Sequence, residues 1–170
     1  MFKIINFLIS CFALIAFLFL LNNINKSKTG SFKEYNSLDE VKSITNITNI
    51  YLPTYFPSSI KWPPAKIYAQ TQPVKAIVTE YVNKNNEIVL EIFQIHHKKF
   101  NYKSHINIKE ILEESFLNIK NHKTKIYSGF CSDREYCSRI EIAIEKGQLT
   151  LIGKLQVQEL LKIAKSITVY

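Results

Sequence analysis

The chain has 170 residues, 46% of them apolar and 21% charged, with a net charge of +8 and only four glycines and five prolines. That length fits one domain, and the apolar content with three cysteines excludes a disordered chain, a collagen-like repeat and a disulfide-dense scaffold. The excess charge is lysine spread along the chain with no arginine-rich cluster, which reads as a solvated surface and excludes a nucleic-acid-binding domain.

Residues 4–21 form an 18-residue run without a charged member. As a helix this run is about 27 Å long, close to the hydrocarbon thickness of a bilayer. A cleaved signal peptide is the competing reading. Cleavage needs small residues after a shorter apolar core, whereas this run closes on Phe17-Leu18-Phe19-Leu20-Leu21. The box "LISC" at Leu8 to Cys11 has the form of a lipid-attachment site, yet most of the apolar run follows its cysteine. The expectation is an uncleaved anchor, with membrane lipid as the partner of residues 4–21. Lysines on its two sides nearly balance, so orientation rests on the short head Met1-Phe2-Lys3. That head places the rest of the chain outside the cytoplasm, on a single-pass anchor in the cytoplasmic membrane. Lysines next to the anchor suit anionic headgroups.

Residues 22–36 are polar and read as a tether, leaving residues 37–170 as an extracytoplasmic domain. "SLDEVKSIT" opens with Ser37-x-x-Glu40, a capping box, and Leu38, Val41 and Ile44 follow on one face of a short helix. The stretch "YLPTYFPSSIKWPP" then holds four of the five prolines, so it runs extended over a surface. Its rings, Tyr51, Tyr55, Phe56 and Trp62, either close a core or face a partner. They are the candidate binding surface, with Leu52, Phe56 and Trp62 also suited to pinning the segment onto a sheet.

Strands are predicted around Ile67, over residues 75–82 and from Glu87, the last two joined by Asn83-Lys84-Asn85-Asn86. The third has two apolar faces, Ile88, Leu90 and Ile92 on one and Val89, Phe93 and Ile95 on the other, which predicts a central strand covered on both sides. "NIKEILEESFLNIKNH" breaks the pattern. Ile108, Ile111, Leu112, Phe116 and Ile119 are spaced as one face of a helix, with Glu110, Glu113 and Glu114 toward its start and Lys120 and Lys123 toward its end. "TKIYSGFC" and "CSRIEIAIEK" return to strand, with Ile140, Ile142 and Ile144 alternating against polar neighbours. After a turn at Gly147-Gln148 and "LTLIGKL", residues 156–167 close the chain with helical spacing. The fold class expected is α+β: a transmembrane helix, then a mainly antiparallel sheet with about three packed helices.

Cys131 and Cys137 flank a polar five-residue connection between strands, so they are expected to face each other across a hairpin and form a disulfide. Metal knuckles and redox pairs need closer spacings. A bridge there fits an oxidising compartment.

Several of these pieces, in this order, resemble the extracytoplasmic sensor domain of membrane-bound anti-sigma factors and related stand-alone envelope proteins. They are "SLDEVKSI", "YLPTYFP", the strand pair "AIVTEY" and "IVLEIFQ", the Gly147-Gln148 hairpin and "ELLKIAKSI". The resemblance implies an anchored envelope domain. A sigma-binding part is not among the matching pieces, since only Met1-Phe2-Lys3 precedes the apolar run.

No phosphate loop and no G-x-S-x-G appear. His96 and His97 are adjacent at a strand end, so they point to opposite faces, and His105 has no carboxylate close in sequence. They read as surface histidines, with no metal or cofactor site expected. Glu80 and Glu91 lie on neighbouring strands, where they read as salt-bridged surface groups ahead of an acid–base pair. No catalytic residue is expected. The reading is a non-enzymatic binding or sensing module whose partner is another envelope or membrane protein, a peptide or an acyl chain. An accessory single-pass subunit of a larger membrane complex is the alternative, and an envelope enzyme has the least support.

Overall fold

The computed structural model describes residues 31–96, 103–145 and 147–170. The expected anchor, residues 4–21, lies outside them; among the described residues no helix is long and apolar enough to cross a membrane. Ten strands and two helices follow in the order β1 (Lys33–Tyr35), α1 (Leu38–Thr45), β2 (Tyr51–Pro53), β3 (Lys66–Gln70), β4 (Ala76–Val82), β5 (Ile88–Ile95), β6 (Ile108–Ile119), β7 (His122–Cys131), β8 (Tyr136–Ile144), β9 (Gly147–Gly153), α2 (Val157–Lys165) and β10 (Ile167–Val169). Eight strands make one antiparallel sheet in the order β1-β3-β4-β5-β9-β8-β7-β6, and β10 pairs with β2 in a small second sheet.

The α+β expectation is corrected here. About half of the described residues are strand and 13% helix, with two helices in place of about three. The overturned element is the helix expected near residues 108–120. That segment is β6, a 12-residue edge strand paired along its length with β7. Lys120 and Asn121, which join the two strands, both have positive φ (49° and 67°), as the tightest hairpin turns require. The helical spacing buries little: Ile111, Leu112 and Phe116 are exposed, Ile108 is half-buried against the second-face cluster and only Ile119 is fully in the core.

Both helices lie on one face of the sheet. Leu160, Ile163 and Ala164 of α2 pack on Ile140, Ile142, Leu149 and Leu151 of β8 and β9. Val41 of α1 packs with Ile47, Ile50 and Leu52 on Ile67, Ala69 and Ile77 of β3 and β4. The cap of α1 is half as expected. The Ser37 hydroxyl accepts from the Glu40 N–H at 3.1 Å, but the Glu40 carboxylate reaches back one residue further, accepting from the Asn36 N–H at 2.8 Å. Ile44, expected on the buried side, is exposed.

The second face carries another cluster. Ala76 and Val78 of β4, Phe93 and Ile95 of β5 and Ile152 of β9 are covered by Ile106 and meet Cys131 and Cys137. Those two cysteines are disulfide-bonded with Cα atoms 5.7 Å apart. β5 is the central strand that its two apolar faces predict, with one change. A register shift between Tyr81 and Val82 moves the pairing from Leu90 to Ile88. Ile88 therefore packs on the second-face cluster and Val89 on the helix-face cluster, the reverse of simple alternation. β1 pairs with β3, so the sheet starts inside the stretch expected to be tether.

Candidate functional site

The proline-rich segment begins as β2 and continues across the helix face, and its rings divide between two roles. Tyr51 is half-buried against the core under α2. Tyr55 is turned to α2, where its hydroxyl donates to the Glu159 carboxylate at 3.4 Å. That carboxyl is held below its ordinary range, chiefly by the hydrogen bond from Lys162. Phe56 packs at a tilt against both Tyr81, 4.8 Å between centroids, and Trp62, 5.2 Å away. Trp62 covers this pair and is itself 54% exposed. Tyr81 is the base of the cluster. It is fully enclosed, and burial pushes its phenol up to about 12 against a smaller opposing pull from Thr79.

Phe56 and Trp62 form one wall of an open groove of 680 Å³. It is lined as well by Leu38 and Asp39 of α1 and by Val169 and Tyr170. Tyr170 is fixed there: its hydroxyl donates to Asp39 at 3.0 Å, its main-chain oxygen accepts from Lys42 at 2.7 Å, and the Lys42 ammonium lies 4.1 Å from its ring centre. The bond to Asp39 raises the Tyr170 phenol above its ordinary value. Of the four residues expected as a binding surface, the structure thus brings Phe56 and Trp62 to the groove and turns Tyr51 and Tyr55 toward the core and α2. Val169 and Tyr170 are lining residues that local patterns did not single out. Their place follows from β10 doubling back along β2, a pairing between residues more than a hundred positions apart.

A second cluster sits on the opposite face. Glu80 and Glu91 are direct partners in the β4–β5 register, and both are buried, at 1% and 0% exposure. They are not the surface groups expected, since both are enclosed. His105 joins them from the irregular segment before β6, with Nδ1 at 2.9 Å from Glu91 Oε1 and 3.1 Å from Glu80 Oε1. Glu91 is held by the same segment. Its Oε1 accepts from the His105 N–H at 3.2 Å, and its Oε2 accepts from the Ser104 hydroxyl and from the Ile106 N–H at 3.3 Å. Glu80 Oε1 is buried and receives no hydrogen bond. Burial pushes the Glu80 carboxyl above its ordinary value and Glu91 adds to that, while His105 and Lys66 pull the other way. His96 is not part of this group; its Nε2 lies 3.0 Å from the Gln94 amide. His97 lies outside the described residues.

Searches of protein-family models, of curated proteins and of solved structures each find no match to this chain.

Proposed function

We propose that this chain is a membrane-anchored binding module of the cell envelope, without catalysis, and that the ring groove takes an extended, apolar segment of another envelope protein. The observation that carries this reading is Trp62. A ring of that size left more than half exposed, above a half-buried Phe56 and a fully buried Tyr81, is unusual in a surface that serves only to close a core. A protein segment fits better than an acyl chain, because the groove is open to solvent and mixes rings with Asp39, Thr54 and Thr168. A strand edge lies close by: among the described residues β10 pairs with β2 alone.

The anchor is residues 4–21, and the domain lies outside the cytoplasm. The apolar run and the bridged cysteines support this placement, since disulfides persist in oxidising compartments. Protease added to spheroplasts degrades the domain if that topology is right, and leaves it intact if the domain is cytoplasmic. The groove is tested by a photo-crosslinking residue at position 169 in cells. The expected product is a protein adduct that disappears in the Trp62→Ala background. No adduct, or an adduct indifferent to Trp62, defeats the proposal; an adduct to lipid or to residues 1–30 of the same chain names a different occupant.

The accessory-subunit reading is favoured by one further observation. β6 is a 12-residue edge with Ile111, Leu112 and Phe116 exposed along it, a surface that soluble domains commonly blunt or cover. Stoichiometric companions in a gentle detergent purification, lost on Phe116→Glu, would shift the assignment to that alternative.

A further inference from the structure

We propose that Glu80, Glu91 and His105 form a binding site for a single divalent transition-metal ion of the zinc class, on the sheet face opposite the ring groove. The three side chains each offer one ligand atom, and these atoms lie within 4.8 Å of one another. A tetrahedral zinc ion with oxygen and nitrogen ligands at about 2.05 Å sets its ligand atoms about 3.3 Å apart. The two His105–carboxylate separations, 2.9 and 3.1 Å, are within a few tenths of that edge.

Charge and hydrogen bonding point the same way. Two buried carboxylates side by side place two negative charges next to each other whenever both are ionised, with neither side chain exposed to solvent. An imidazolium offsets one of them, whereas a dication with neutral histidine offsets both. Lys66, opposite Glu80 in the β3–β4 register, is exposed and offers only a screened charge. The histidine has one nitrogen facing both carboxylates. As a lone proton donor it satisfies one oxygen, and Glu80 Oε1 is the one left buried without a hydrogen bond. A metal accepts lone pairs from all three groups at once and removes that deficit. Glu91 is already oriented by donors from residues 104–106, the kind of outer support that fixes a ligating carboxylate. The His105 side chain is 59% exposed, so the site has an entry path and room for water on the open positions of the ion. With one nitrogen, two oxygens and no sulfur the donor set suits zinc or manganese, and the general affinity order places zinc above manganese.

The test uses the full chain in nanodiscs, stripped with a chelator and titrated with zinc chloride in a calorimeter. One zinc per chain is expected, weakened at least about tenfold in each of Glu80→Gln, Glu91→Gln and His105→Asn. Cobalt in place of zinc is expected to give visible absorption bands that vanish in the same variants. His105 is largely exposed, so its variant keeps the fold and remains informative if a buried glutamine does not. Absence of zinc binding overturns the proposal. So does binding of unchanged strength in His105→Asn, which would place the ion on other histidines, and so does saturation by magnesium or calcium with zinc ineffective. The site is independent of the ring groove, whose crosslinking test neither outcome affects.

Discussion

Reducing the Cys131–Cys137 bridge is expected to lower the stability of the domain by about 2.4 kcal/mol. The bridge closes a loop of seven residues, and the chain-entropy relation for a loop of that length gives about 7.9 cal/mol/K, or about 2.4 kcal/mol at room temperature. The native state keeps what the cross-link touches. Cys137 is fully enclosed, Cys131 nearly so, and both pack in the second-face cluster whether oxidised or reduced. The β7–β8 pairing also brackets the loop on both sides, with Cys131 N–H donating to Glu135 and Arg134 N–H to Cys131. The loss is therefore a gain in freedom of the unfolded chain, not a collapse of the hairpin. For a domain of this size it corresponds to a fall in Tm of about 5–10 °C. Thermal unfolding of the full chain, followed by Trp62 fluorescence with and without a phosphine reductant, reads this directly. The double variant Cys131→Ala/Cys137→Ala should be indifferent to the reductant, and thiol counting of the unfolded oxidised chain should find Cys11 alone. An unchanged Tm after complete, thiol-verified reduction would refute the loop-entropy account. Two reactive thiols beyond Cys11 before reduction would refute the bridge itself.

Three other perturbations probe the frame. Leu160→Ala removes a fully enclosed side chain between α2 and the sheet and should cost about 2–5 kcal/mol by denaturant unfolding, with the spread set by how far the site collapses. Gly129→Ala should be severe for a backbone reason: a Cβ there would lie 1.8 Å from the Glu110 carbonyl oxygen, inside the irregular pairing of β6. Hydrogen exchange should show residues 108–113 losing protection while 122–128 keep theirs, and unaltered exchange would contradict the β6 register. Lys154→Gln breaks ion pairs to Asp133 (2.5 Å) and Glu135 (2.6 Å) within the bridged loop, and should cost no more than about 1 kcal/mol because the pairs are partly exposed. Its pH signature has a definite sign. The hydrogen bond from Lys154 holds Asp133 below its ordinary 3.8, so this contribution is present above that pH and is lost as pH falls through the lowered value. The wild-type advantage over Lys154→Gln should therefore disappear in strong acid, and an advantage that grows there would be evidence against the pair.

Much of the sheet is readable from local pattern, because strand pairs joined by short turns need only alternation and turn residues. The asparagines at 83–86 mark the β4–β5 turn, and Asn86 adopts φ 63° there. Ile140, Ile142 and Ile144 alternate and are buried as alternation requires. α2 is equally plain, since its apolar stripe is dense and faces β8 and β9. β6 is misread for a specific reason. Two irregularities in its pairing with β7, between Ile108 and Glu110 and between Ile111 and Glu113, insert extra residues into a two-residue period. The resulting order of apolar residues imitates a 3.6-residue period. The competing signal was present in Asn121, which suits a left-handed turn position and marks a hairpin better than a helix end. The reversal of Ile88 and Val89 has the same origin, a single register shift opposite Tyr81–Val82.

The two candidate sites differ in what a sequence can disclose about them, and the difference is one of sequence separation. Glu80 and Glu91 are related by one short hairpin, so their adjacency follows from the turn; their burial does not, because it depends on residues 104–106 folding back over β5. His105 reaches them through a connection with no periodic pattern. The ring groove is assembled from more distant parts still, since Trp62 and Tyr170 both line it only because β10 returns to β2. Alternation along β4 separates the two sites further: Glu80 points to the second face and Tyr81, the base of the ring cluster, to the helix face. Adjacent residues of one strand thus serve opposite faces of the sheet. A substitution at Glu80 or His105 and one at Trp62 should act independently, so a coupling between them in any binding assay would mean that the sheet itself transmits strain from one face to the other.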